Sequence, residues 1–187
     1  IEYVDQVLPE VYPIYAGTFE ASLPEGGAEL LQLFSKSYLK LNTALAERAP
    51  WTLAHQDYRV ENMLFGNPEN DEVTVIDWQG IGRGPGVYDL AYLLGGSMET
   101  ELRRENERDL VVAYHTELCS NGVEGYSLDS LWADYGFAHL IGGLATSVFA
   151  GGTLDLNNER GKELITMMSE RHVTAALDHG GTGQIPN

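Results

Sequence analysis

His55-Gln56-Asp57-Tyr58-Arg59-Val60-Glu61-Asn62-Met63-Leu64-Phe65, followed after a short turn by Val73-Thr74-Val75-Ile76-Asp77-Trp78-Gln79, is the stretch whose reading decides the fold. Trp51 to Ala54 predicts a short strand entering it, and Met63-Leu64-Phe65 a strand leaving it. Gly66-Asn67-Pro68-Glu69-Asn70-Asp71 has the composition of a hairpin connection. The return strand, Glu72 to Ile76, is an apolar run that reads as buried, and it carries Asp77 back beside Asn62. Three oxygen-bearing groups are thereby placed: Asp57, Asn62 after four intervening residues, and Asp77 at a strand end. Two carboxylates and a carboxamide suit phosphoryl transfer, whose transition state is stabilised by positioning and metal ions rather than by covalent chemistry. One carboxylate takes the proton of the attacking hydroxyl. The other, with the amide oxygen, holds Mg²⁺, a hard cation that prefers oxygen ligands.

His-x-Asp-x-x-x-x-Asn followed by an Asp closing a strand resembles the kinase-like superfamily. The resemblance is closer to its aminoglycoside phosphotransferase, choline kinase and ecdysteroid-kinase-like branch than to protein kinases. It is carried by residues 54–94, with Gln56 standing where that branch usually has Gly. The resemblance implies Asp57 as catalytic base and Asn62 and Asp77 as ligands of Mg²⁺ or Mn²⁺ and of the nucleotide bound through it. Arg59 falls where protein kinases carry a phosphate-contacting Lys, which implies contact with the γ-phosphate. Asp89, twelve residues past Asp77, falls where antibiotic kinases carry an Asp that buttresses the catalytic loop from the next helix. His55 is expected to be structural, its ring bonding backbone near Asp77. The implied fold is α+β and mostly helical: the C-terminal lobe of a protein-kinase-like fold, with a small β-hairpin carrying the catalytic loop. The implied activity moves the γ-phosphate of ATP or GTP to a hydroxyl of a small molecule.

Composition is compatible with this. A chain of 187 residues with 43% hydrophobic content supports one good core. Its single cysteine, Cys119, excludes an internal disulfide and fits a reducing compartment. No apolar run approaches the ~20 residues of a membrane-crossing helix and no signal peptide is present, so a cytoplasmic location is predicted. A net charge of −17 argues against nucleic acid or an anionic membrane as partner, and tolerates a cationic acceptor.

Only Lys36, Lys40 and Lys162 are present, and none lies in a predicted strand. A kinase-like enzyme needs a strand Lys for the α- and β-phosphates and a phosphate-covering loop. The expectation is therefore a C-terminal large lobe over residues 1–178, the N-terminal lobe being absent from this chain, with a flexible tail at 179–187. Such a lobe would be inactive alone, and an apolar patch near residues 51–65 would promote self-association.

Elsewhere the pattern is helical. Pro9, Pro13 and Pro24 divide residues 1–24 into short helices or turns, and one helix spans roughly residues 28–48. Gly80-Ile81-Gly82-Arg83-Gly84-Pro85-Gly86 fails the phosphate-cradle templates and reads as a loop too short for a protein-kinase activation segment, which favours a small acceptor. Residues 99–119 form a charged helix with Arg103, Arg104 and Arg108 on a solvated face. Ser127 caps a helix running to about Ala150 across Gly142-Gly143, whose reading is close packing, and Gly151-Gly152 close it. A last helix starts at Asn157 or Asn158. His115, His139 and His172 stand alone on helices and His179 in the tail, without metal-ligand spacing. Two other classes compete: a non-catalytic kinase-like module binding a metabolite or partner, and a metal-dependent hydrolase. Retention of Asp57, Asn62 and Asp77 disfavours the first, and the small number of carboxylate and His ligands the second.

Overall fold

The structure is a computed structural model that describes residues 2–67, 69–155 and 157–185. Its order is α1 (Glu2–Phe19), α2 (Gly27–Phe34), α3 (Tyr38–Arg48), β1 (Trp51–Ala54), β2 (Met63–Asn67), β3 (Asn70–Val75), β4 (Gly82–Pro85), α4 (Val87–Ser97), α5 (Thr100–Ser120), α6 (Leu128–Ala138), α7 (Gly142–Thr153) and α8 (Glu159–Asp178). Short 3₁₀ turns lie between some of them. The chain is thus mostly helical, with two small antiparallel sheets, β1 with β4 and β2 with β3. No helix among the described residues is long and apolar enough to cross a membrane.

The segment expected to be broken by its prolines is a single helix. Leu8, Val11, Tyr15 and Phe19 recur at helical spacing and are buried, while Pro9 and Pro13 lie on the exposed face. The carbonyls that lose an intrahelical donor to each proline therefore lie on the side reached by water, which lowers the usual penalty. The buried stripe packs along α7. There Gly152 allows the approach, since a Cβ on it would stand 2.7 Å from the Val11 carbonyl oxygen. Gly151 and Gly152 thus sit inside α7, facing α1, instead of ending a helix.

Two long predicted helices are each divided. Residues 28–48 split at Ser35–Ser37, because the first turn of α3 takes a cap from outside: Leu39 N–H donates to Asp5 Oδ1 at 2.8 Å. The apolar run from Ser127 splits at residues 139–141, and Ser127 Oγ accepts from Ser130 N at 3.1 Å as its N-cap. Asn158 caps α8, accepting from Gly161 N at 2.9 Å.

The glycine-rich segment after Asp77 is more ordered than a loop. Residues 82–85 form β4, paired with β1 in the register Trp51↔Pro85 to Ala54↔Gly82. The sequence signal for this strand is weak because three of its four residues are Gly or Pro and its partner lies thirty residues back. β2 and β3 do form the expected hairpin, Met63↔Val75 to Asn67↔Asn70. Asn67 Oδ1 turns it, accepting from Glu69 N and Asn70 N at 2.9 and 3.1 Å. The strand ending at Asp77 is not buried, however; Val73 is 49% and Ile76 38% exposed. Trp51, Leu53, Leu64, Phe65, Trp78 and Ile81, on and beside the two sheets, are exposed as well.

The charged helix α5 departs from a solvated face at Arg103, which is fully buried. Its guanidinium donates to Glu107 Oε2 at 2.6 Å and to Asp178 of α8. Arg104 joins Asp178 from the rim, and Arg108 lies over the Trp132 ring at 4.5 Å. Residues 179–185, expected to be a flexible tail, are docked. His179 packs its ring on Trp132, Tyr135 and His139 and bonds Glu107, while Ile185 lies against the core. An aromatic ring and an aliphatic side chain that find an apolar seat outweigh the local Gly content that suggested disorder.

Candidate active site

The segment from His55 to Asn62 is held from below by the first turn of α4. Asp89 accepts the backbone N–H of His55 at 2.7 Å through Oδ2 and that of Gln56 at 2.8 Å through Oδ1. Burial raises the Asp89 carboxyl above its ordinary pKa, and the two backbone donors oppose that rise. This grip explains how Gln56 tolerates a left-handed backbone with φ 70°, the conformation that Gly would adopt at no steric cost. Among the described residues the only other non-glycine with positive φ is Asp77, at 63°. Both flank one site, where such backbone outliers concentrate.

His55 is buried, and its Nε2 lies 2.8 Å from the Ile76 carbonyl oxygen, tying the loop to the end of the hairpin. Its ring stands 4.8 Å from that of Trp78. Ile76 N–H donates to the Asn62 carbonyl at 2.9 Å, so Asp77 follows directly on the residue bonded to Asn62. Asn62 is itself buried, and its Nδ2 donates to the Asp57 carbonyl oxygen at 2.8 Å and to Asp57 Oδ2 at 3.0 Å. Both amide protons are thereby used on Asp57. The Asn62 Oδ1 oxygen keeps its lone pairs for a hard cation, and the exposed Asp77 carboxylate supplies the charge such a cation needs. Asn62 Oδ1 and the Asp77 carboxylate are thus oxygen donors of the kind a hard cation takes.

Arg59 Nε lies 3.4 Å from Asp57 Oδ1, and its side chain is about one-third exposed, leaving the guanidinium fork open on its solvent side. Asp57 Oδ1 also receives the Tyr92 hydroxyl at 3.1 Å. Tyr92 is pushed up to about 12, first by burial and then by the neighbouring Asp57 charge, so it is a neutral donor at any working pH. Sequence reasoning missed Tyr92. The only available signal was its place one helical turn after Asp89 on α4.

A family model, the ecdysteroid kinase-like family, matches residues 3–122. The chain belongs to the ecdysteroid kinase-like family. That family includes small-molecule kinases, a class of phosphotransferases that generally use a nucleotide and a metal. Comparison with curated proteins and with solved structures finds no match. His55, Asp57, Arg59, Asn62, Asp77, Asp89 and Tyr92 all lie within the part matched by the ecdysteroid kinase-like family; α6, α7 and α8 lie beyond it.

A second polar cluster in this ecdysteroid kinase-like chain lies away from the loop. Glu107, His139 and His179 bring one ligand-type atom each within 4.8 Å of one another. Three histidines thought to stand apart are in fact neighbours, since His172 also lines the same helix junction. The arrangement is a hydrogen-bonded knot. Glu107 Oε2 already accepts from Arg103 and from Tyr135, at 2.6 and 2.9 Å. The His139 and His179 rings are stacked 19° from parallel, so their in-plane lone pairs do not converge on one point. Burial pushes Glu107 up, but bonds from His179 and Arg103 more than offset it and hold the carboxyl below its ordinary value.

Proposed function

We propose that this chain carries the catalytic centre of a phosphotransferase that moves the γ-phosphate of ATP or GTP to a hydroxyl of a small molecule. The observation that carries the reading is the Asn62 amide, whose two N–H groups bind Asp57 while its oxygen stays free. Asp57 is then the base, held in orientation to take the acceptor's proton. Asn62 Oδ1 and Asp77 are the ligands of Mg²⁺ or Mn²⁺, which neutralises the phosphate charge when bound. Arg59 reaches the γ-phosphate from the open side of its fork. His55 and Asp89 maintain the loop and do not touch the reacting atoms.

The acceptor enters from the α7 side, where a cavity of about 270 Å³ is walled by Tyr38, Tyr88 and Phe149. An apolar or aromatic body suits those walls. The exposed apolar side chains of the strand region, Trp51, Leu53, Leu64 and Phe65 among them, are where a smaller lobe bearing the phosphate-orienting Lys would sit.

The test is Mn²⁺ binding followed by relaxation enhancement of water, with and without a non-hydrolysable ATP or GTP analogue, in the wild type and in Asp77→Asn and Asn62→Leu. Nucleotide-dependent binding that both substitutions weaken by tenfold or more is expected. Nucleotide-dependent binding indifferent to both would overturn the metal assignment. Transfer of labelled phosphate to a panel of alcohols, by this chain and by a version joined to a smaller lobe, then tests the reaction itself.

A further inference from the structure

The Tyr92 hydroxyl lies 3.1 Å from Asp57 Oδ1 and 3.2 Å from Thr146 Oγ1, joining the loop to α7. A phenol has one proton to give, and an ionised carboxylate can only accept. The Tyr92 proton therefore goes to Asp57, and the Thr146 hydroxyl must donate to Tyr92. That commits the single Thr146 proton. Among the described residues Thr146 has no helix carbonyl as an alternative partner, unlike Ser147, whose hydroxyl donates back to Gly143 at 2.8 Å. Thr146 also lines the cavity that Val4, Tyr38, Tyr88, Ala145 and Phe149 wall with apolar surface. What it presents there is oxygen lone pairs without a proton.

We infer that Thr146 is a specificity-determining residue that requires a hydrogen-bond donor from the molecule in the cavity, and that Tyr92 imposes this requirement while positioning Asp57. A hydroxyl or N–H facing Thr146 completes a one-way chain ending on Asp57. A carbonyl or ether oxygen at the same place meets lone pairs on the half-buried Thr146, so the bond is lost and two acceptors face each other. Only the identification of that molecule as the phosphate acceptor rests on the kinase reading. The polarity of the Thr146–Tyr92–Asp57 chain does not.

The test needs no nucleotide. Hydrobenzoin and benzil present hydroxyls against carbonyls on the same diaryl frame, so only the first carries a donor, and both are small enough for the cavity. Their affinities for the full chain are measured by titration calorimetry, with the Thr146 methyl resonance reporting the place of binding. Hydrobenzoin should bind about tenfold more tightly to the wild type, a ratio of the size one mispaired polar contact produces. The ratio should persist in Thr146→Ser. In Tyr92→Phe it should fall close to one, because Thr146 regains a free proton and can serve the carbonyl. A ratio equal in wild type and Tyr92→Phe overturns the inference, and so does failure of both probes to shift the Thr146 methyl. Loss of nucleotide-dependent Mn²⁺ binding with the ratio intact would instead count against the phosphotransfer reading alone.

Discussion

Asn62 Nδ2 donates at once to the carbonyl oxygen of Asp57, at 2.8 Å, and to its carboxylate, at 3.0 Å. The two residues are thus one unit. The amide fixes the carboxylate rotamer, and the carboxylate fixes which end of the amide faces outward. Two side chains that orient each other are coupled, so substitutions at Asp57 and Asn62 are expected to be non-additive.

In the version joined to a smaller lobe, Asp57→Asn should lower phosphate transfer by about 10²-fold or more while nucleotide affinity changes little, because it removes the proposed proton acceptor and keeps the shape. Steady-state turnover beside a nucleotide titration checks this. Turnover equal to the wild type would remove Asp57 from the role of base.

Asp89→Ala should destabilise the chain by about 1–3 kcal/mol, since the backbone N–H of buried His55 and that of Gln56 lose their acceptor together. Asp89→Asn should lose less. It keeps one acceptor oxygen and, being uncharged, escapes the desolvation cost that raises the Asp89 pKa, although its Nδ2 turns a donor toward one of the two backbone N–H groups. Urea unfolding of the three proteins gives the ranking, and equal midpoints for wild type and Asp89→Ala would show that the buttress is ornamental.

The parts of the site legible in the sequence are those spaced by local geometry. Asp57 and Asn62 sit in one loop, Asp77 returns through one hairpin, and Asp89 lies one turn into the next helix. Contacts made across the fold carried no such signal. Tyr92 and Thr146 are 54 residues apart and Arg103 and Asp178 are 75 apart, and nothing in an alternating Arg and Glu pattern marks the one arginine that will be buried. Helix breaks at 35–37 and 139–141 escaped for a related reason. The first depends on a cap supplied by Asp5 from another helix, and apolar periodicity runs unbroken through both.

Two glycines should respond with opposite sign to the same added methyl. In Gly143→Ala the new Cβ would stand 2.0 Å from His172 Nδ1 and 2.3 Å from Cγ, ring atoms fixed between α7, α8 and α4, so a loss of about 1–3 kcal/mol or more is expected. At Gly17, inside α1, nothing lies within 4 Å, and Ala should stabilise by about 0.5–1 kcal/mol. Thermal unfolding of both variants decides it. A neutral Gly143→Ala would mean that the helix junction has slack that the packing does not reveal.

Stability should fall as pH drops from 6.5 toward about 4, and the buried histidines set the sign. Burial lowers His172 from 6.5 to about 4 and His139 well below 6.5, so in that window the unfolded chain binds protons that the folded chain refuses. His172 alone accounts for a loss of up to about 3 kcal/mol, complete near its folded value and absent above its unfolded one. Glu107 and Asp178 act in the same direction but later. Their folded values lie below the ordinary 4.5 and 3.8, so the stability they contribute is present above those values and is lost only at lower pH. Between pH 6.5 and about 4.5 the downward slope therefore belongs to the histidines, opposed by Asp89, whose raised carboxyl gains its proton in the folded chain first. Urea midpoints across that interval should decline less steeply in His172→Asn than in the wild type, whatever the variant's absolute stability. Parallel slopes would show that His172 takes up its proton in the folded chain, against the burial that the α4, α7 and α8 junction imposes on it.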